Sequence, residues 1–354
     1  MIFHHSTEVK VKIVIVTQDV GPGNSLRIIG EKLKSLGHNV EMFLGMGKPL
    51  PDGNLDKVSV ALIGADRLLM SVSSATNRVL EERHAFTEAK RLGVPVAVFS
   101  DIYGMYHRPW FTDLMTKTDI LFVTDEQEVE TARRYVNATT RIIPSGNPYW
   151  TEFFKATVSR KEVRSKLGIK PDEKMVLAVG NKELERNVAL YTDLVMTGRE
   201  LEKIHMVLTM HPGADHGKDV YDGILKWASC PVQFAGREIG LSSQEMLTGS
   251  DLVVAAGGSS VGIMAACLRK PVIDLVHPID QLFWEELSGL DFWPPTRFGA
   301  SQLVKEPVDL ELAMRLLLKP DSEVLRRMFR AQEANFSASK FENAVEKIVA
   351  GLIG

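Results

Sequence analysis

The sequence predicts an α/β protein made of two doubly wound, Rossmann-like halves that face a cleft. Three observations carry this expectation. Short β-branched and apolar runs alternate with amphipathic helical patterns, which is the pattern of a parallel sheet covered on both faces. The alternation occurs twice, on either side of a break at Gly146-Asn147-Pro148. A chain of 354 residues, 45% of them hydrophobic, suits two cores better than one.

In order along the first half, Val11 to Thr17 is a β-branched run and Ser25 to Leu36 repeats apolar residues at helical spacing before Gly37 ends it. Val40 to Leu44 reads as a strand. At least one of the runs Val58 to Ile63 and Leu68 to Val72 is expected to be another. Asn77 to Leu92 reads as a helix stopped by Gly93. Val94 to Phe99 and Ile120 to Val123 read as strands, Glu126 to Tyr135 as a helix and Thr140 to Ile143 as the last strand of the half.

After the break come the aromatic cluster Tyr149, Trp150, Phe153 and Phe154 and a charged helix from Ser159 to Leu167. The second series runs through Met175 to Val179, a helix from Glu185 to Leu201, His205 to Met210, a helix around Tyr221 to Ala228, Val232 to Ala235 and Ser243 to Leu247. Ser322 to Asn335 and Lys340 to Leu352 read as helices. These readings place a first domain at 1–150, a second at 151–335 and a terminal helical segment at 336–354.

Net charge is −3, from 42 basic and 45 acidic residues, so broad attraction to nucleic acid or anionic lipid is not expected. Only Cys230 and Cys267 occur, both in apolar surroundings, which suits packed thiols in a reducing compartment. Met1 to Lys10 lacks the apolar core of a signal peptide and no apolar run reaches the length of a membrane span. A cytoplasmic protein is expected, with peripheral membrane contact left open.

The segment Ser250 to Asp274 carries the most chemistry. It reads as a strand (Leu252 to Ala256), a tight turn (Gly257, Gly258), a helix opened by Ser259 and Ser260, and a further strand from Pro271. Two glycines let backbone approach an anion, the serines cap the helix, and its first N–H groups carry partial positive charge. This is a phosphate cradle. With His277-Pro-Ile-Asp280-Gln281 it resembles the donor-binding segment of GT-B nucleotide-sugar glycosyltransferases, including MurG-like enzymes, and of UDP-GlcNAc 2-epimerases. The resemblance runs over residues 246–288, 11–37 and 140–154.

The resemblance implies that Gly257, Gly258, Ser259 and Ser260 hold the donor's diphosphate, with Asp280 and Gln281 beside the sugar hydroxyls. His211, after the run ending at Met210, resembles a phosphate-facing histidine. Asn181 and Lys182 occupy the corresponding strand end earlier in that domain, and Phe234 and Arg237 lie in a loop like the one that brackets the donor's base. The last helix would cross back onto the first domain.

In the first domain Asp19-Val-Gly21-Pro-Gly23-Asn24-Ser-Leu-Arg27 resembles the glycine-rich loop of MurG and the Asp-x-Gly-x-Gly-His pattern of UDP-sugar hydrolases of pseudaminic acid synthesis. Asn24 stands where those carry His, and an amide cannot take a proton at neutral pH. Asp19 is then the first candidate for the base and Asp101 the second. Gly21, Gly23 and Asn24, with Tyr106, His107 and Arg108 from the aromatic loop after Asp101, are candidates for binding the acceptor.

The implied activity is an inverting transfer of a sugar, expected from a UDP-linked donor, to an acceptor the sequence does not identify, with no metal and no bound cofactor. Inversion is inferred because Gly262, Met264 and Ala266 offer no Glu after the cradle. The alternatives are an epimerase or UDP-sugar hydrolase of the same fold, or a nucleotide-sugar-binding protein without catalysis. An NAD reading is weakened by Leu26 at the third fingerprint glycine, although Glu41 stands where a ribose-binding acid could. Metalloprotease, Cys-x-x-Cys, nucleophile-elbow and Walker motifs are absent from the sequence.

Overall fold

The computed structural model describes residues 10–46, 54–74, 79–155, 158–211, 214, 216–236, 239–291 and 293–354. It divides into two compact units, one formed by Met1–Tyr149, Glu286–Gly289 and Phe341–Gly354, the other by Trp150–Glu285 and Leu290–Lys340.

In the first unit a six-stranded parallel sheet forms from β1 (Lys12–Thr17), β2 (Asn39–Leu44), β3 (Arg67–Met70), β4 (Val96–Phe99), β5 (Ile120–Val123) and β6 (Arg141–Pro144), in the order β2-β1-β3-β4-β5-β6. Central strands are apolar on both faces because helices cover both. Val14, Val16, Leu68 and Val98 pack toward the helices Asn54–Leu62 and Leu80–Arg91, while Ile13, Ile15, Leu69 and Phe122 meet Leu26, Ile29, Ile348 and Leu352. Of the two ambiguous apolar runs, 58–63 is helical and 68–72 supplies β3.

The second unit repeats the plan with β7 (Lys174–Val179), β8 (Ile204–Thr209), β9 (Val232–Phe234), β10 (Leu252–Ala256), β11 (Val272–Leu275) and β12 (Gln302–Val304), in the order β12-β11-β10-β7-β8-β9. Strand β12 and the helix Pro307–Leu318, neither of them anticipated from sequence, close this sheet. Strand order reverses between β1 and β3 in one sheet and between β7 and β10 in the other. In open parallel sheets, ligand crevices form at the carboxyl ends of strands at such reversals.

Two local expectations need correction. The glycine-rich segment after β1 is helical from the start: the helix spans Val20–Ser35, with Asp19 at its N-cap position. Pro22 suits a first turn, and Gly21 has no side chain because a Cβ there would lie 2.9 Å from Asp101 Oδ2. The terminal helix is broken into Ala338–Phe341 and Ala344–Ile353. The expected helix 77–92 is described only from residue 80, since residues 75–78 lie outside the described set.

Asp274 stands inside β11 with 0% exposure, facing Gly262 and Ser301. Burial pushes its carboxyl from 3.8 up to about 7, the nearby Ser301 hydroxyl opposing the shift without closing a hydrogen bond to it. A carboxyl raised in this way keeps its proton in the folded state while the unfolded chain ionises. Its penalty is therefore absent below the unfolded value and complete above the folded one. Asp274→Asn should raise the melting temperature several degrees more at about pH 8 than at about pH 5. Differential scanning fluorimetry checks this, and an equal change at both pH values would refute it.

Candidate functional site

In the second unit the turn after β10 lies at the β7/β10 reversal. Gly258 adopts φ +85°, and a Cβ there would come within 2.9 Å of Trp284. Ser259 caps the eight-residue helix Ser260–Cys267, its Oγ accepting from the Val261 amide at 3.3 Å, and Ser260 is exposed. The start of this helix, with its partial positive charge and the Ser259 and Ser260 hydroxyls, is the kind of terminus at which an anion is stabilised. A cavity of about 120 Å³ adjoins the turn, lined by Gly257, Gly258, Asp280, Gln281, Trp284 and Lys305 among others.

The helix Pro278–Ser288 carries Asp280 and Gln281. Asp280 is 2% exposed and its carboxylate is taken by Arg186 Nε and, at 3.2 Å, by the His277 amide. It braces the cradle rather than offering a free edge to a sugar. The Gln281 amide nitrogen donates to Glu285 and, at 3.0 Å, to the Asp291 carbonyl.

Arg186, which the sequence reading did not single out, is the centre of this arrangement. From the helix Leu184–Thr197 it binds Asp280, Glu183 at 3.1 Å and the Gly257 carbonyl at 3.3 Å. Its spacing from Glu183 looks in sequence like an ordinary exposed i,i+3 pair, and that is why it was missed.

The other candidates in this unit lie at neighbouring strand ends. Asn181 follows β7, and its amide donates to Asn187 Oδ1 at 2.6 Å. Lys182 is half-buried beside it and His211 is half-buried after β8. The half-buried Phe234 ring packs against Tyr191 and Tyr221, at centroid distances of 5.7 and 5.4 Å, which leaves the main chain of its loop as the part expected beside a base. Arg237 lies outside the described residues, as do Pro212 and Gly213.

In the first unit, carboxylates gather at the β1/β3 reversal. Asp19 is 8% exposed and its side chain does not cap its own helix; Oδ2 accepts from the Ser74 amide at 2.6 Å. Asp101, after β4, is pushed up to about 6 by burial, with Asp19 adding repulsion and the Arg108 guanidinium opposing both. Its Oδ1 is buried with no hydrogen-bond partner among the described residues. Asn147, from the break between the halves, fixes the backbone here. Its Nδ2 donates to the Asp101 carbonyl at 2.7 Å and its Oδ1 accepts from Ser25 Oγ at 2.7 Å.

Among the acceptor candidates, Gly21 is exposed, Gly23 buried and Asn24 half-buried in the first turns of the helix. Arg108 is 7% exposed and faces Asp101. Tyr106 corrects an expectation: it is 0% exposed, against Tyr135 at 5.7 Å, so it packs the loop instead of lining its surface. His107 is half-buried edge-on to Tyr135 at 4.8 Å, and burial lowers its imidazole below the usual range while the Glu286 backbone opposes the shift.

Two six-stranded parallel sheets, each with a reversal of strand order and with helices on both faces, define the class: the GT-B fold, two Rossmann-like α/β units. Solved structures share it. The UDP-GlcNAc 2-epimerase of Neisseria meningitidis, bound to UDP-GlcNAc, matches with a TM-score of 0.66 at 14% identity over 98% of this chain and 100% of that one. Anabaena HepE in complex with UDP-glucose matches at 0.64 and 10% identity, over 96% and 100%. A glycosyltransferase from Rickettsia africae matches at 0.65 and 10% identity, over 97% and 99%. The sequence matches no protein-family model and no curated protein. Among the described residues no helix is long and apolar enough to cross a membrane, and no three His, Cys, Asp or Glu side chains group as metal ligands would.

Proposed function

We propose that this chain is a nucleotide-sugar enzyme, and within that class an inverting glycosyltransferase that takes a UDP-sugar as donor. The observation that carries the reading is the Ser259-capped helix behind the Gly257-Gly258 turn, placed at a strand-order reversal and held from below by Arg186. Helix N–H groups and the Ser259 and Ser260 hydroxyls would offset charge developing on the departing diphosphate. Asp19 would take the proton of the acceptor hydroxyl, with Asp101 as the second carboxylate. The identity of the acceptor does not enter this reading.

A second reading, epimerase or hydrolase, is favoured by one observation: Asp19 and Asp101 interact, and two coupled carboxylates suit acid–base exchange at a sugar as well as activation of an acceptor. The test begins with binding. UDP should raise the melting temperature and Ser259→Ala should reduce that rise, because selective binding to the folded state stabilises by mass action. Incubation with radiolabelled UDP-sugars then separates the readings into transfer to an acceptor, an epimerised donor or a free sugar. Absence of a UDP shift, with the protein folded, would sink both.

A further inference from the structure

Glu82 plays no part in the chemistry above, yet its carboxylate is built into the same reversal of strand order. It lies on the helix Leu80–Arg91 with 0% exposure. It accepts from the Gln18 amide at 2.9 Å, the Ser73 amide at 2.8 Å, the Ser73 hydroxyl at 2.7 Å and the Thr17 hydroxyl at 3.3 Å. The main influences on its carboxyl are burial, the Ser73 and Gln18 hydrogen bonds and the charge of Asp19. Its helix neighbours are engaged elsewhere, Arg83 with Asp113 and His84 with Ser59.

The donors come from two segments only. Thr17 ends β1 and Gln18 follows it, and Ser73 follows β3. The next residue in each segment is joined by the Ser74 amide donating to Asp19. Glu82 and Asp19 thus tie the same two segments together, one buried beneath and one at the end. The charged side chain that acts on Glu82 is Asp19, which repels it; Asp19 in turn repels Asp101, beside which Arg108 is the cation.

We infer that Glu82 is a positioning residue for Asp19: it fixes the Thr17–Asp19 and Ser73–Ser74 segments, and its charge sets how readily Asp19 accepts a proton. The inference rests on the reading of Asp19 as base. A neutral Glu82 would leave Asp19 a weaker base, and an ionised one a stronger base, since like charges disfavour each other's ionised form. Burial lifts the Glu82 carboxyl to about 7, so this control would act near neutral pH.

The test compares wild type with Glu82→Gln and Glu82→Asp, using protein carrying 13C in the aspartate carboxyls and Asp19→Asn to assign the Asp19 signal. In Glu82→Gln the Asp19 titration midpoint should fall by about half a unit or more. UDP-sugar turnover should fall about tenfold or more, with KM for the donor changed less than about twofold. Glu82→Asp, which keeps the charge but cannot span both segments, should lose turnover with a smaller change in the midpoint. An unchanged Asp19 midpoint and unchanged kcat in folded Glu82→Gln would overturn the inference. If Glu82→Gln does not fold, a Glu82→Asp enzyme identical to wild type in both readouts overturns it. Failure of the functional reading looks different: wild type then turns over no nucleotide-sugar, while the Asp19 midpoint still moves on removal of Glu82.

Discussion

Asp19→Asn should abolish most turnover of the UDP-sugar while leaving UDP binding as it is in wild type. A general base typically contributes about 10²- to 10⁴-fold, and loss of kcat in that range is expected. Asparagine has the shape of aspartate and its oxygen can still accept from the Ser74 amide, which in wild type reaches Asp19 Oδ2 at 2.6 Å. What it lacks is the ability to hold a proton. In the proposed reading UDP is held by the turn, helix and cavity of the second unit, while Asp19 and Ser74 belong to the first. Initial rates of UDP release, paired with calorimetric titration of UDP, test both halves of the expectation. Should Asp19→Asn keep more than about a tenth of kcat while Asp101→Asn abolishes it, the base is Asp101 and the order of the two carboxylates reverses.

Arg186→Met should be the most damaging single change to the second unit. Arg186 and Asp280 are 6% and 3% exposed in their side chains, so removing the guanidinium strands a buried carboxylate. Breaking a buried pair from one side costs about 3–5 kcal/mol. The same change releases the Gly257 carbonyl and so loosens the turn, and UDP affinity should also fall by about tenfold or more, as expected when a binding loop is no longer pre-organised. Arg186→Met combined with Asp280→Asn should recover much of the stability, because the double variant leaves no stranded charge, but little of the affinity. Urea denaturation and UDP titration of wild type and the two variants measure this. Equal stability of the single and double variants would show that the pair is not coupled.

The parts of the site that were legible in sequence share a property: their chemistry is local. The Gly257-Gly258-Ser259-Ser260 turn can be read because backbone freedom, capping and helix-terminus charge all act within a few residues of one another. Asp19 and Asp101 were legible because each follows an apolar strand and so falls at a carboxyl edge. Glu82, Arg186 and Asn147 were not. A glutamate in the run Leu80-Glu-Glu-Arg83 and an arginine three residues after Glu183 look like solvated helix charges, and nothing local shows which face turns inward. Their partners are 64, 94 and 122 residues away in the chain for the pairs with Gln18, Asp280 and Ser25.

Burial corrected the reading in the other direction as well. Tyr106 sits in a segment with the composition of a binding loop, but an aromatic ring carries its surface area into a core as readily as onto a sugar. Which of these it does depends on whether Tyr135 arrives alongside. The helix beginning at Val20 shows the same limit, since the two glycines that suggest a loop instead make room for Asp101 and Met46 against its first turns.

By itself the sequence determined that this protein is two parallel α/β halves, that a glycine turn and a serine-capped helix follow one strand of the second and that acids follow strands of the first. Periodicity, capping and turn chemistry are short-range effects written in neighbouring residues. Only the tertiary structure decided which strands lie side by side, and hence where the order reverses, which acids meet there, and which charges are buried as braces rather than exposed for chemistry. Those outcomes depend on desolvation and on pairing across long stretches of chain.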